Sequence, residues 1–327
     1  MSASFVCCVE SGFLESQALR MAESLRKFGG SFSRSPIFAV TPRFGPPISR
    51  HTLRRFHELD VSYLRLNQPN KYSWFNFLNK PLALLAAEPY VQTPNICWLD
   101  SDLLFLNEPG ELDLQDGESF AGFPVEAKEM GTAGSEDPHD LVWREFCRLL
   151  NIDIEKLPWV TTAETGERVR LYFNGGIFVY RKNAEFAQTY YANCLKLLAS
   201  PPMTAANFTE GIKEMSSIGF AVIMTNLKWR ELSYSHDYVM SSFTHNRWYK
   251  ENALRRATVI HYHDAMWPHF WETFLSCILT THPKVADWLE QLGPMRNTAP
   301  LPWRVATRLL RKKRKMSEAR YKRSFLL

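Results

Sequence analysis

Two aspartates, Asp100 and Asp102, interrupt an apolar run, ICWLDSDLLFL, over residues 96–106. Side chains two residues apart on a strand point to the same face, so a continuous strand would hold both carboxylates side by side. Two carboxylates on one face repel each other and resist loss of water unless a cation lies between them. Mg²⁺ and Mn²⁺ prefer such oxygen ligands and often keep positions open for a diphosphate. The pattern therefore predicts a site for a divalent cation and a phosphorylated ligand.

The Asp-x-Asp triplet alone is a weak signal, because about one is expected by chance in a chain of this length. Ordinary surface acids at the junction of a strand and a loop would give the same pattern. The position of the triplet adds weight, since it is the only one in the sequence and follows the fourth predicted strand. In an open α/β sheet, ligands bind at the carboxyl ends of strands.

The elements that would position this pair alternate between strands and helices. Residues 4–10 form an apolar run of strand length, and apolar residues then recur at helical spacing from Leu14 to Phe28. This order indicates an α/β fold with a mixed, mostly parallel sheet flanked by helices. Further strands are predicted over residues 36–42, 61–66, 96–106, 120–126, 171–181, 221–227 and 257–263, and further helices over residues 79–90 and 283–293.

Composition excludes several classes of protein. With 45% hydrophobic and 22% charged residues in 327, the chain is a folded globular protein and not a disordered one. Its six cysteines lack the spacing of a disulfide framework or a zinc pair, and we find no signal peptide or long apolar segment. These features favour a cytoplasmic location. The polar residues 127–166 are typical of a loop or small helical insertion beside an active site.

The charge is unevenly distributed along the chain. From Arg304 to the end there are ten basic residues and one acid, a local charge of +9. Residues 1–303 carry 29 basic and 33 acidic residues, a charge of −4. We therefore expect a catalytic domain over residues 1–295 and a basic extension over residues 296–327.

The extension has the pattern of an amphipathic helix, because Trp303, Ala306 and Leu310 share one helical face. A basic helix of this kind is typical of binding to an anionic membrane, so we expect residues 303–323 to hold the protein on the cytoplasmic face of a membrane. Nucleic-acid binding, or a role in solubility alone, would give the same tail composition. The acidic body argues against nucleic acid as a partner, since no basic stripe runs through it.

Three segments carry a resemblance to a known family: WLDSDLLFL (98–106), YFNGGIFVY (172–180) and VIHYHDAMWP (259–268). In this order and at these distances they resemble the nucleotide-diphosphosugar transferases of the GT-A fold, in particular glycosyltransferase family 8. Members carry a D-x-D after an apolar strand, then F-N-[ST]-G, then I-H-[FY]-x-G-x-x-K-P-W. The resemblance covers about residues 4–270 and implies a GT-A, Rossmann-like fold.

The resemblance also implies roles for individual residues, which are taken from the family's motifs. Asp100, Asp102 and His261 would hold the metal ion. Asn174 and Gly175 would lie beside the donor sugar, with Glu210 or Glu214 in place of an Asp-Gln motif that is missing here. The remaining donor-binding residues would be Val9 and Glu10 at the base and ribose, Lys80 near the nucleotide, and Ser101 within the triplet.

The sequence departs from the family at several positions. Gly175 stands where Ser or Thr is common, which leaves the backbone free to approach a sugar. After His261 the family's Gly and Lys are missing, and Asp264 and Met266 occur instead. That lysine holds the diphosphate, so phosphate binding would fall to other residues such as Lys80 or Arg181. A second histidine, His263, would share a strand face with His261 and is either a further ligand or a packed, hydrogen-bonded residue, and we favour the latter.

The function implied is transfer of a sugar, with retention, from a nucleotide diphosphate donor to a saccharide or lipid-linked acceptor. A UDP-sugar is the expected donor, and Mn²⁺ or Mg²⁺ the expected cofactor. Two alternatives remain open at this point. A metal-dependent phosphohydrolase would use the same acids on nucleotide or sugar phosphates, and a membrane-associated adaptor would keep the domain only as a scaffold.

Overall fold

The structure is a computed structural model that describes residues 2–66, 70–200, 211–243 and 245–324. Within these ranges the chain forms twelve strands and eleven α-helices. The strands are β1 (Ala3–Cys8), β2 (Ile37–Thr41), β3 (Val61–Arg65), β4 (Asn95–Leu99), β5 (Leu103–Phe105), β6 (Phe120–Gly122), β7 (Trp159–Thr161), β8 (Arg168–Arg170), β9 (Ile177–Arg181), β10 (Trp229–Glu231), β11 (Tyr238–Val239) and β12 (Val259–His261).

The helices include those predicted over residues 14–28, 79–90 and 283–293, which the structure confirms with small differences at their ends. They are α1 (Phe13–Phe28), α2 (Arg50–Glu58), α3 (Asn79–Ala87), α4 (Asp140–Leu150), α5 (Phe186–Ala199), α6 (Gly211–Met224), α7 (His245–Trp248), α8 (Glu251–Leu254), α9 (Trp271–Thr281), α10 (Pro283–Leu292) and α11 (Leu301–Arg323).

Seven of the described strands form the central sheet, in the order β10-β6-β9-β4-β1-β2-β3. Neighbouring strands are parallel except at β9, which runs antiparallel to both β4 and β6. The carboxyl ends of β1, β2, β4 and β6 therefore meet at one edge, together with the amino end of β9. This arrangement confirms the predicted mixed, mostly parallel α/β sheet.

The central strands are almost continuously apolar because helices cover both faces of the sheet. On one face, Val6 and Trp98 pack in a core cluster with residues of α3 and α5. On the other face, Phe5 and Cys97 pack with residues of α1. Burial on both faces removes the alternation of polar and apolar residues, which leaves the loops at the edge to carry the polar chemistry.

The predicted continuous strand over residues 96–106 is wrong, because the chain turns at the two aspartates. β4 ends at Leu99, and β5 begins at Leu103, where it leaves the central sheet for a small sheet ordered β11-β12-β5. The N–H of Asp100 donates to the carbonyl of Gly176 at 2.8 Å. Asp100 and Asp102 thus lie on a turn and do not share one face of a strand.

The predicted strand over residues 221–227 is also wrong. Ala221 and Val222 belong to α6 and are buried in the core. A short apolar run does not distinguish a buried strand from a buried helix, and here the residues pack as a helix against α5. Two other strands are shorter than predicted: β6 ends at Gly122 and β9 begins at Ile177. The residues left over form loops at the carboxyl edge of the sheet.

The polar segment over residues 127–166 contains a helical insertion, as predicted. Its helix α4 buries Trp143 and Phe146 in the same core cluster as α5. The insertion continues into β7, which pairs with β8 as a separate two-stranded sheet.

The basic C-terminal segment forms one long helix, α11, which begins before the predicted Trp303 and lies against the body of the protein. The ring of Tyr321 packs 4.7 Å from that of Trp74, and Arg314 donates to the carbonyl of Phe44 at 2.8 Å. Ala306 and Leu310, predicted to face a membrane, are half-buried. Across the described ranges, every helix is too short or too polar to cross a bilayer.

Candidate functional site

Three potential metal ligands, Asp102, His261 and His263, meet at the carboxyl edge of the sheet. Their ligand atoms all lie within 4.8 Å of one another. The carboxylate oxygens of Asp102 lie 3.5 Å from Nε2 of His261 and 3.6 Å from Nδ1 of His263. The structure thus brings Asp102 and His261 together, as the sequence analysis expects. His263 joins them with its side chain 41% exposed, so it is not the packed residue expected from the sequence.

Strand pairing explains how residues far apart in sequence meet here. β12 pairs antiparallel with β5, which sets His261 opposite Leu103. The N–H of Tyr262 then donates to the carbonyl of Asp102 at 3.0 Å. His263 adopts a φ of 48°, a left-handed conformation that non-glycine residues rarely adopt unless their surroundings require it. In this conformation its ring stacks on that of His261, with the two centroids 4.0 Å apart.

A buried carboxylate behind the cluster orients His261. Oδ1 of Asp237 lies 3.1 Å from Nδ1 of His261, and the Asp237 side chain is fully buried. Burial by itself lowers the pKa of His261, but the carboxylates of Asp102 and Asp237 outweigh it and raise the pKa well above the usual value. When the ring is neutral, a proton held on Nδ1 by Asp237 leaves the Nε2 lone pair available to a metal ion. Sequence reasoning missed Asp237, which belongs to no motif.

Asp100 has different partners and lies outside this cluster. Its Oδ2 accepts from Nζ of Lys80 at 3.1 Å, and its Oδ1 accepts from the indole N–H of Trp98 at 2.9 Å. Lys80 also donates to the carbonyl of Gly175 at 2.9 Å and lies 3.8 Å from the carboxylate of Glu214. The two aspartates of the triplet are therefore neutralised separately, Asp100 by a lysine and Asp102 beside two imidazoles.

The pKa values around Lys80 reflect burial opposed by pairing. Burial lowers the pKa of the Lys80 ammonium, but Asp100 and Glu214 more than offset this and raise it, so the ammonium stays charged. Burial raises the pKa of Asp100 and of Glu214, and Lys80 acts against the rise in both. Glu214 is fully buried and accepts from the hydroxyl of Tyr190. Glu210, the alternative expected beside the donor sugar, lies outside the described residues.

The glycines of the Asn-Gly-Gly segment allow two side chains to approach the backbone closely. A Cβ at Gly175 would lie 2.5 Å from Nζ of Lys80, and a Cβ at Gly176 would lie 2.7 Å from Nδ1 of His261. A larger residue at position 175 would displace Lys80, and one at position 176 would displace His261. This explains why Ser or Thr is absent at position 175. Asn174 shapes the segment, since its Oδ1 accepts from the N–H of Gly176 at 2.9 Å.

A second carboxylate missed by sequence reasoning, Glu126, lies next to Asn174. Its Oε2 accepts from Nδ2 of Asn174 at 3.2 Å. Burial raises the pKa of the Glu126 carboxyl to about 7, and the negative charge of Asp237 acts in the same direction. The position of Glu126, shortly after β6 at the carboxyl edge, was the one signal in the sequence that could have identified it.

The other predicted donor-binding residues lie at the same edge, with one exception. Val9 is fully buried and its N–H donates to the carbonyl of Val40 at 2.9 Å, so its contribution is structural. Glu10 accepts from Nδ2 of Asn79 at 3.0 Å and pairs with Arg43. Ser101 is largely buried in the turn. Arg181 is the exception, because it donates to Asn95 at the start of β4 and so lies at the opposite edge. The prediction that Arg181 binds phosphate is therefore wrong.

This fold, with its polar turn at the carboxyl edge of β4, is that of the GT-A glycosyltransferases, as predicted. Residues 5–210 match the family described as the Rhodobacterales glycosyltransferase domain, and the chain belongs to this family. No curated protein sequence matches the chain.

Two solved glycosyltransferases, WbbM and GlyE, share the fold at low sequence identity, and a third, LgtC, has a lower structural similarity. The bifunctional glycosyltransferase WbbM has a TM-score of 0.50 at 12% identity, over 88% of this chain and 51% of its own. Glycosyltransferase GlyE of Streptococcus pneumoniae TIGR4 has a TM-score of 0.50 at 13% identity, over 91% of this chain and 66% of its own. Galactosyltransferase LgtC, solved with donor and acceptor sugar analogues, has a TM-score of 0.45 at 11% identity, over 93% of this chain and 99% of its own. The chain thus spans about half the length of WbbM.

Replacing Lys80 by methionine should destabilise the protein strongly. The change keeps the length of the side chain but leaves the carboxylates of Asp100 and Glu214 buried without their cation, a loss of about 3 to 5 kcal/mol in the free energy of unfolding. Lys182→Met is the matched control, because the ammonium of half-buried Lys182 donates to the carbonyl of Val91 and pairs with no carboxylate of the described residues, so its loss should cost about 1 kcal/mol or less. Urea unfolding measures both, and equal losses would contradict the charge-pairing account.

Replacing Glu126 by glutamine should change how stability depends on pH. The folded protein raises the carboxyl pKa from 4.5 to about 7, so it binds the proton more tightly than the unfolded chain does. The stability from this proton is complete below pH 4.5 and is lost as the pH rises through 7. A glutamine side chain stays neutral at every pH and does not lose this stability. The free energy of unfolding of Glu126→Gln, relative to that of wild type, should therefore rise by about 3 kcal/mol between these two pH limits.

The control for this pH dependence is Glu136→Gln, because Glu136 is exposed and should show no such rise. Urea unfolding across the pH range gives the free energy of unfolding of each variant relative to that of wild type. A difference between Glu126→Gln and wild type that stays constant with pH would show that Glu126 ionises normally.

Proposed function

We propose that the protein transfers a sugar from a nucleotide diphosphate donor, a UDP-sugar in the first instance, to a saccharide or lipid-linked acceptor. Membership of a glycosyltransferase family supports the transfer. The observation that carries the metal dependence is the cluster of Asp102, His261 and His263, whose ligand atoms lie within 4.8 Å of one another. The resemblance to family 8 supports retention at the sugar carbon.

The chemistry of this cluster fits a divalent transition metal. One carboxylate and two imidazoles suit Mn²⁺ better than Mg²⁺, which prefers oxygen ligands alone. Asp237 already holds His261 by Nδ1 at 3.1 Å, as expected for a metal-ligating histidine. When bound, Mn²⁺ would neutralise the charge that develops on the departing nucleotide diphosphate. Asp100, expected as a ligand from the sequence, would instead act by fixing Lys80.

The neighbouring residues would bind and orient the donor sugar. Lys80 is held in one place by Asp100 and by the carbonyl of Gly175, so its charge is positioned before a ligand arrives. Asn174 contacts both Gly176 and Glu126 by hydrogen bonds of its side chain. Because the pKa of Glu126 is about 7, its carboxyl is present in both forms at neutral pH. It can therefore donate or accept a hydrogen bond from a sugar hydroxyl.

Asp102→Asn should abolish donor binding that depends on Mn²⁺ while the protein remains folded. A thermal-shift screen of nucleotide sugars with and without Mn²⁺ measures this, because a ligand at about 100 times its Kd stabilises the folded state by about 2.7 kcal/mol. Asp287→Asn, an exposed position on α10, is the matched control and should respond like wild type.

The same screen, together with an assay of nucleotide and phosphate release with and without a sugar acceptor, separates the proposed transferase from its alternatives. Binding that persists in Asp102→Asn would contradict the metal site. Release of phosphate or nucleotide that no sugar acceptor accelerates would favour a phosphohydrolase. No response to any nucleotide sugar would favour a non-catalytic scaffold.

We further propose that the outward face of α11 binds an anionic membrane. Leu301, Val305, Leu309 and Met316 recur at helical spacing and are each at least half exposed. Arg308 and Lys312 lie on the same side of the helix and are exposed. Apolar and basic residues on one exposed face favour the interface of an anionic bilayer. This face differs from the half-buried one expected from the sequence.

Arg308→Gln with Lys312→Gln should weaken binding to vesicles of equal parts phosphatidylcholine and phosphatidylglycerol. Each basic residue near such a surface contributes about 1 kcal/mol, so the loss of two should lower partitioning roughly 30-fold. Arg311→Gln with Lys315→Gln removes the same charge from another side of the helix and is the matched control. Co-sedimentation measures the partitioning of both double variants. Wild-type protein that does not bind these vesicles would contradict the proposal.

A further inference from the structure

A cavity of about 390 Å³ lies between the body and α11, at the same edge of the sheet as the metal-ligand cluster. The body contributes Glu10 and Phe13, which follow β1, and Trp74, which precedes α3. The helix contributes Arg311, Arg314 and Lys315. The C-terminal helix is therefore one wall of a cavity at the ligand-binding edge of the sheet, in addition to any role on its outer side.

Positive charge is in excess in this cavity. Arg43, Arg311, Arg314 and Lys315 line it together with two acids, Glu10 and Glu318. Glu10 accepts from Nη2 of Arg43 at 3.0 Å and lies 3.8 Å from Nη1 of Arg314, and Glu318 pairs with Lys322 at 2.8 Å. In the part of the chain that the structure describes, Arg311 and Lys315 have no carboxylate partner.

The surroundings of Arg314 also indicate an excess of positive charge in the cavity. Its guanidinium donates to the carbonyl of Phe44 at 2.8 Å and is half-buried. Burial lowers the pKa of Arg314, and repulsion from Arg43 and Arg311 lowers it further. A group of cations this close, with only part of its charge neutralised, favours an anion in the cavity.

The cavity adjoins the site described above on two sides. Asn79, which donates to Glu10 at 3.0 Å, immediately precedes Lys80 on α3. Phe13 packs edge to face on Trp267 at 4.9 Å, in the loop that follows His263. A ligand in the cavity would therefore lie between the helix that carries Lys80 and the loop that carries His263.

We propose that α11 is part of the nucleotide site, and that Arg311 and Lys315 bind the phosphates of the nucleotide diphosphate. This inference rests on the proposed function, since it names the residues of the donor site. Lys80 is already engaged by Asp100 and Gly175, whereas Arg311 and Lys315 line the cavity and have no carboxylate partner among the described residues. The rings of Phe13 and Trp74 offer apolar surfaces for the rest of the nucleotide.

Several contacts that do not involve these two cations hold the helix in place, in addition to the guanidinium of Arg311, which lies 5.9 Å from the centre of the Phe13 ring. Tyr321 packs against Trp74 at 4.7 Å and Tyr72 at 6.1 Å, and Arg314 bonds to Phe44. Arg311 and Lys315 are themselves exposed. Replacing them should leave the fold and the position of α11 unchanged, which makes their effect on binding interpretable.

The test is isothermal titration of the full chain with UDP, GDP and ADP in the presence of Mn²⁺. Arg311→Gln with Lys315→Gln should raise the Kd about tenfold or more, because two charge-assisted contacts are lost. Arg308→Gln with Lys312→Gln is the matched control. It replaces the same two residue types at the same spacing on the outward face, and its Kd should stay within about twofold of wild type.

The outcomes separate this inference from the proposed function. If both double variants weaken binding equally, the effect is one of net charge and the inference fails. If Asp102→Asn loses binding while Arg311→Gln with Lys315→Gln keeps it, the inference alone fails and the metal site stands. Wild-type protein that binds none of the three nucleotides would overturn both.

Discussion

The need to neutralise two carboxylates at a largely buried edge of the sheet governs the architecture of the site. Asp100 and Asp102 could not share one strand face without a cation between them, and the chain resolves this by turning between them. Asp100 then reaches Lys80 at 3.1 Å, and Asp102 reaches His261 at 3.5 Å. Each carboxylate gains its own compensating group, which costs much less than burying two adjacent charges.

This turn also determines the surroundings of the site. β5 leaves the central sheet and pairs with β12, which brings His261 and His263 to Asp102. Lys80 and His261 then approach the backbone so closely that positions 175 and 176 have no room for a Cβ. The Asn-Gly-Gly sequence and the Asp-x-Asp triplet are thus two parts of one packing arrangement, although more than seventy residues separate them.

The C-terminal helix carries two sets of basic residues for which we propose separate functions, and its sequence alone does not separate them. Its basic residues are distributed around the whole helix, so composition indicates only an anionic partner. Packing of Tyr321 on Trp74 fixes the rotation of the helix and thereby divides these charges. Arg311 and Lys315 line the cavity beside the candidate site, whereas Arg308 and Lys312 remain on the outer side with the exposed apolar residues.

The sequence by itself determined the α/β class, the order of the first strands and helices, and the placement of Asp102, Asn174 and His261 in motifs. The class and the order follow from local periodicity, Asp102 follows from a residue type that suits a metal, and Asn174 and His261 follow from the resemblance to the family's motifs. Only the tertiary structure decided that Asp100 pairs with Lys80, that Asp237 supports His261, and that residues 221–227 are helical. Such outcomes depend on which charges and apolar surfaces meet after folding, and a linear pattern holds no information on distances between separate elements.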